Sequence, residues 1–257
     1  MSAKTFAILT DIHSNFESFE AALSVIEERG NVDQIVLIGD YFSLGPAPVE
    51  TLDRLLQLEG SIVVRGNHER YIKERLWDQD NPTLEGMDPD DQVTKDIVAN
   101  EKWTADQIGE RGLDFISELD VSYREFVGTT LVEFTHAYFE RDEEPPTMDE
   151  AKEWRQKALI ENPDLDRFVF VHGHAHLPRE ENDGDLTIFC QGATGLPFDK
   201  DDRGAVAFLT VNDGVQWDVV RFDYNRDATI NLLEERQPPF YANLQNTIRY
   251  AEIRNDI

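Results

Sequence analysis

Hydrophobic residues in the first sixty positions follow two alternating periods. Phe6–Thr10 is a short apolar run closed by Asp11, the pattern of a strand covered on both faces. Asn15 is placed to cap a helix running to about Arg29, because Phe16, Phe19, Ala22, Leu23 and Ile26 return on one face and Gly30 follows. Ile35–Ile38 predicts a second strand, Gly39–Pro48 a turn-rich connection, Val49–Leu58 a helix and Ile62–Val64 a third strand. This βαβαβ order predicts a parallel sheet with helices on its faces.

The middle of the chain changes to a helical period, with helices expected over Val93–Gly109 and Leu113–Leu119. Two acidic, proline-containing stretches, 78–92 and 140–149, read as solvated loops, with a gating role as the alternative. A strand is expected at Thr130–Phe134. From Phe168 onward short strands dominate: Phe168–Val171, Leu186–Cys190, Ala205–Val211 and Val215–Phe222. Strands in succession after an α/β half suggest a second sheet packed on the first. Asp227–Glu235 and Tyr241–Ile253 complete the pattern as helices.

Composition narrows the class. The 257 residues are 40% hydrophobic and carry 15 Phe, 7 Tyr and 4 Trp, enough for a folded core and against global disorder. Asp and Glu number 52 against 24 Lys and Arg, a formal charge of −28. Such a surface disfavours sequence-independent binding to nucleic acid or to anionic membranes. The acidic excess is spread evenly, which suggests a self-repelling coat adapted to high salt, where screening is strong. No apolar run approaches a membrane span and the first residues lack a signal-peptide layout. With one Cys no intrachain disulfide can form, so a cytoplasmic location is expected.

The six histidines carry the chemical signal. His13 lies in Asp11-Ile12-His13, His68 in Gly66-Asn67-His68-Glu69, and His136 follows the strand Thr130–Phe134. His174 and His176 lie in Gly173-His174-Ala175-His176, and Asp40 follows Gly39 after the second strand. Each motif falls at the carboxyl end of a predicted strand, the edge where open α/β sheets bind ligands. Imidazole with carboxylate suits divalent first-row metals, and two such ions can clamp a phosphate. No cysteine is near, which excludes a thiolate zinc site. His172 is expected to pack in the core, Cys190 to be a buried strand residue, and Arg65, Arg70 and Arg179 to pair at the surface.

Taken in order, D-x-H, G-D, G-N-H-E, a lone His and G-H-x-H resemble the calcineurin-like metallophosphoesterase superfamily. Gly39–Pro46, Trp103-Thr104, Gly192–Pro197 and Phe222-Asp223-Tyr224 are similar to its small prokaryotic phosphodiesterase branch, related to diadenosine tetraphosphatases. The resemblance covers nearly the whole chain and implies one domain over 1–257. It also implies a four-layer αββα sandwich of two mixed sheets with flanking helices.

By the same resemblance Asp11, His13 and His176 would bind one divalent ion, and Asn67, His136 and His174 a second, with Asp40 bridging. Manganese is the first expectation for the ions, with iron, zinc and nickel as alternatives. His68 would act as acid or transition-state stabiliser, and the implied nucleophile is a hydroxide bridging the ions. The implied substrate is a small phosphate ester, of phosphodiester or nucleotide type. The alternatives are a protein serine/threonine phosphatase, a non-catalytic scaffold of the same fold and, against the charge, an exonuclease. Two positions depart from the family pattern, His136-Ala137-Tyr138-Phe139 and Cys190-Gln191-Gly192-Ala193; both bear on the substrate pocket.

Overall fold

In the computed structural model, residues 3–84 and 86–254 are described. The predicted first strands form as β1 (Lys4–Leu9), β2 (Gln34–Ile38) and β3 (Ile62–Val64), paired in parallel. They alternate with α1 (Phe16–Arg29) and α2 (Pro48–Leu55). The Asn15 side chain accepts from the Ser18 N–H and Gly30 closes α1, so the expected capping holds at both ends. After β3 come α3 (Asn67–Lys73), which the sequence pattern does not single out, and α4 (Gln92–Ser117). Gly109, at φ 59°, breaks α4 into the two helical stretches expected there.

The second half departs from expectation in how its strands are shared. The second sheet has the order β4-β5-β6-β8-β7, from β4 (Ser122–Val127), β5 (Thr130–Thr135), β6 (Arg167–Val171), β7 (Pro178–Asp183) and β8 (Leu186–Gln191). The last two strands, β9 (Gly204–Val211) and β10 (Val215–Phe222), return instead to the first sheet, giving β10-β9-β1-β2-β3. β9 pairs antiparallel with the free edge of β1. The physical reason is in the residues: Val206 and Phe208 face the α1 side while Ala207, Leu209 and Val211 face the second sheet. A strand apolar on both faces belongs in the interior of a sheet, not at an edge.

Three apolar layers separate four layers of structure. Phe6, Ile8, Val36 and Ile38 meet Val132, Phe134, Val169 and Val171 between the sheets. Ala7, Leu9 and Leu37 turn the other way, onto Phe19, Leu52 and Ile108 of the helices. Leu131, Phe168 and Phe170 pack on Trp154 of α5 (Met148–Glu161). The architecture is therefore the two-sheet α/β sandwich expected. α5 begins at the end of the stretch read as an acidic loop. Thr147 and Glu150 form a reciprocal capping box there, a signal legible as T-x-x-E. α6 (Arg226–Arg236) and α7 (Tyr241–Tyr250) close the chain, α7 ending three residues before the predicted Ile253. Among the described residues no helix is long and apolar enough to cross a membrane.

One acidic side chain lies under α5. Glu133, 1% exposed, accepts from Trp154 Nε1 at 3.1 Å and Arg124 Nε at 2.8 Å. Burial raises its pKa above 4.5, against the pull of Arg124 and Trp154. The folded chain then holds more protons than the unfolded one just above pH 4.5, so stability falls as pH rises through that window. Glu133→Gln keeps the acceptor for Trp154 and is expected to remove this slope. It should stabilise the protein by up to about 1 kcal/mol at neutral pH. Urea unfolding of both proteins at pH 4 and 7 checks this; an unchanged slope refutes it.

Candidate metal centre

The loops after β1, β2, β3, β5 and β6 converge at one end of the two sheets. Backbone bonds stitch them together: Asp11 N to Gly39 O at 3.1 Å, His13 N to Asp40 O at 3.0 Å, and Gly173 N to His136 O at 2.8 Å. Further bonds tie the first loop to the segment after β8, with Gly195 N to Asp11 O at 2.9 Å. Two glycines of the motifs are required by contact. A Cβ on Gly66 would lie 2.1 Å from Asp40 Oδ1, and one on Gly173 would lie 2.0 Å from Thr10 Oγ1. The loops are also strained. Asp11, His13, Asp40, His174 and His176 all have φ between 48° and 64°, a region that side-chain-bearing residues avoid. Strain of this kind costs roughly 1–3 kcal/mol per residue and gathers at functional sites.

All seven residues expected as ligands meet there, with His68 beside them. Asp11, His13, Asp40 and His176 offer one set of ligand atoms within 4.8 Å of one another, and Asp40, His136 and His174 a second. Asn67 joins the second set, its Oδ1 lying 2.9 Å from His136 Nε2 and 3.1 Å from His174 Nδ1. Asp40 is common to both, with Oδ2 3.2 Å from His136 Nε2 and 3.7 Å from His13 Nε2.

The donor atoms fit a divalent cation better than they fit each other. Nδ1–H of His136 donates to the Ile38 carbonyl at 2.8 Å, and Nδ1–H of His176 to the Leu196 carbonyl at 2.5 Å. In the neutral rings Nε2 is then a lone pair, aimed into the cluster. His176 Nε2 lies 3.1 Å from both Asp11 Oδ1 and His13 Nε2. Atoms bound about 2.1 Å from one ion at right angles stand about 3 Å apart. A carbonyl fixing the outer nitrogen is also how metal-binding histidines are oriented.

The electrostatics agree. Burial disfavours charge on Asp40, yet His136, His68 and His13 around it hold its carboxyl well below the usual carboxylate range. Burial opposes charging His136 too, but Asp40 and Asp11 push it up to about 10. Without an ion His136 therefore holds a proton on Nε2 against Asp40, and a cation bound there would displace that proton and take the lone pair. His13 is kept neutral by burial and by His176, down to about 3, which leaves it a ligand lone pair.

Glu101, which sequence reasoning missed, and Glu69, which the G-N-H-E motif contained without a role, complete the site. Glu101 of α4 is fully buried and its Oε1 lies 2.5 Å from His68 Nδ1, while Oε2 accepts from Ser43 Oγ at 2.6 Å. Glu69 accepts from the backbone N–H groups of Asp40, Tyr41 and Gly66, each at 2.9 Å, and so fixes the loop that carries Asp40. The sequence marked the first only indirectly, through the Trp103-Thr104 motif beside it.

Three further expectations are met and one is corrected. His172 is buried, bonding the Gly173 carbonyl and Arg179, away from the cluster. Cys190 is buried, its thiol pushed up to about 12 by burial. Arg65, Arg70 and Arg179 pair with carboxylates as expected. The two acidic stretches are more than solvated loops. Leu84 is buried against Tyr71, and Asp142 is buried and gripped by Arg70 Nη2 at 2.8 Å. In each, an apolar or ion-paired anchor holds the acidic surface down.

The fold and this cluster define a metal-dependent phosphoesterase, and comparison with known proteins gives the family. Residues 4–217 match calcineurin-like phosphoesterases, and the chain belongs to that family, hydrolases of phosphoester bonds. Over 201 residues, 78% of this chain and 74% of the relative, it is 26% identical to an uncharacterized protein of Methanocaldococcus jannaschii. A shorter stretch of 63 residues, 24% of this chain and 23% of the relative, is 38% identical to the symmetrical bis(5'-nucleosyl)-tetraphosphatase of Shewanella sediminis. The crystal structure of a metallophosphoesterase from Sphaerobacter thermophilus shares the fold. Its TM-score is 0.70 at 24% identity, covering 97% of this chain and 100% of that one.

Proposed function

We propose that the protein hydrolyses small phosphate esters with two divalent ions. Asp11, His13 and His176 would hold one ion, Asn67, His136 and His174 the other, and Asp40 both. The observation that carries this reading is the pair of imidazoles whose outer N–H groups are committed to backbone carbonyls, turning Nε2 of His136 on Asp40 and Nε2 of His176 on Asp11, both buried. Bound ions would supply charge to the phosphate oxygens and lower the pKa of a coordinated water. The protein's own part is proton transfer and alignment. His68, oriented through Nδ1 by Glu101, holds a proton at Nε2 for the departing oxygen. Its backbone N–H donates to Asp40 Oδ1 at 3.1 Å, which fixes that carboxylate relative to the ring.

Residues of both sheets build the site, which supports reading 1–257 as one domain. Manganese is the first choice of ion for this mixed nitrogen and oxygen set, with iron, zinc and nickel next. A phosphodiester is the favoured substrate, and the similarity to a tetraphosphatase keeps nucleotide esters in view. The test is hydrolysis of a chromogenic phosphodiester and its monoester with Mn²⁺, Ni²⁺, Zn²⁺ or no metal. Metal-dependent turnover is the expected result; equal rates after chelation refute the reading.

The charge of −28 also belongs to this proposal. We read it as adaptation to a salty cytoplasm, so the melting temperature should rise between low and molar KCl as repulsion is screened. A flat or falling melting temperature counts against it.

A further inference from the structure

Beside the histidine cluster lies a cavity of about 210 Å³. Its floor is Asp40, His13, His68, His174 and His176, and its walls come from several other places in the chain. Leu84 and Met87 belong to the first acidic stretch, Val93 and Ile97 to α4, and Leu44 and Phe198 to loops. Leu244 and Ile253 bring in the C-terminal segment. Phe198 stacks on the His176 ring at 4.2 Å, its plane tilted by only 16°, so the aromatic wall begins at the cluster itself. Among the described residues that line the cavity none is Lys or Arg. Two cations adjacent in sequence to lining residues are engaged elsewhere; Arg254 lays its guanidinium on the Tyr250 ring at 4.8 Å. Arg70 is turned to Asp142 and Glu143.

This chamber opens on the His68 ring. His68 lines it, and Tyr71, edge-on to the His68 ring at 5.4 Å, lines it too. Whatever receives the His68 proton therefore departs into an apolar space. A cavity of roughly 150 Å³ takes a benzene ring, so about 210 Å³ holds one ring or a short branched alkyl group. A chain of further phosphates would enter the same space without a cation to pair with, at the cost of burying unpaired charge.

Resting on the phosphoesterase reading, we infer that the substrate is an ester of a single phosphate whose leaving group is apolar, a monocyclic aryl or short branched alkyl alcohol. The same walls disfavour nucleoside polyphosphates. Phe198, Met87 and Ile253 set this preference.

The test has a binding arm and a turnover arm on the Mn²⁺-loaded protein. In calorimetric titrations phenylphosphonate should bind at least about tenfold more tightly than methylphosphonate, the gain coming from the buried ring. Ile253→Asp, at a position 58% exposed and so tolerant of change, should erase most of that advantage. In turnover, phenyl phosphodiesters should exceed diadenosine tetraphosphate in kcat/KM by at least about tenfold, and Met87→Lys should narrow that ratio by supplying the missing cation. Equal binding of the two phosphonates, or a wild-type preference for the tetraphosphate, overturns the inference. If phenylphosphonate binds preferentially and Ile253→Asp removes the preference, but no ester turns over, the pocket assignment stands and the phosphoesterase reading falls. Turnover with no phenyl preference gives the reverse.

Discussion

Asp40→Asn should lose turnover by about a thousandfold or more, equivalent to about 4 kcal/mol of transition-state stabilisation, and should lose bound metal with it. No other residue belongs to both candidate ligand sets among the described residues. The substitution keeps shape: Oδ1 can still accept from the His68 N–H, and the room left by Gly66 is unchanged. What disappears is the negative charge. Asp40 is the leading favourable influence on the elevated pKa of His136, so in the metal-free variant that ring should titrate well below its value of about 10. Metal content by elemental analysis and the His136 titration by NMR separate the two effects. A variant that keeps both metals and full activity would show that Asp40 does not bridge.

Glu101→Gln is expected to lower kcat by about a hundredfold while leaving metal content and KM nearly unchanged. Glu101 lies within bonding distance of none of the ligand residues in its hydrogen bonds, only of His68 and Ser43. In the proposed reaction it would position His68 and offset the positive charge on that ring when the proton sits at Nε2. The amide preserves volume and one acceptor, so folding should survive, whereas Glu101→Ala would leave Ser43 and His68 short of a buried partner. Ser43→Ala removes only the outer bond and should cost far less than the glutamine variant. Loss of metal in Glu101→Gln, or an unchanged kcat, would remove the residue from the reaction.

The strand ends that carry the cluster were legible because their signals are local. Each ligand follows an apolar run within a few residues, and histidine is scarce enough that its placement means something. Asn67 and Asp40 were legible through the glycines before them, which the crowding at Gly66 now explains. Glu101 was not, because it is one acid among 52 and its meaning lies in a contact 33 residues away. The apolar chamber was hidden for a related reason. Leu84 and Met87 sit in a stretch whose composition is acidic, and only the fold turns those two side chains inward. Strands β4 and β7 escaped because they are edge strands. Their sequences, SYREFV and PREEND, face solvent on at least one side and lack a continuous apolar run. The return of β9 and β10 to the first sheet is a choice of neighbour, which a local pattern does not encode.

That return has a consequence for the order in which the protein can be built. All five strands of the second sheet lie between Ser122 and Gln191, so that sheet can assemble as soon as its segment leaves the ribosome. The first sheet waits: the partner of β1 along one edge is β9, some two hundred residues later, as in the pairing of Lys4 with Val211. Until then β1 presents an open edge, and Asp11 lacks the backbone clasp from Gly195. The candidate ligand residues, split between loops of the two sheets, are therefore clasped from the β1 side only after Gly195 and β9 have emerged and joined that strand.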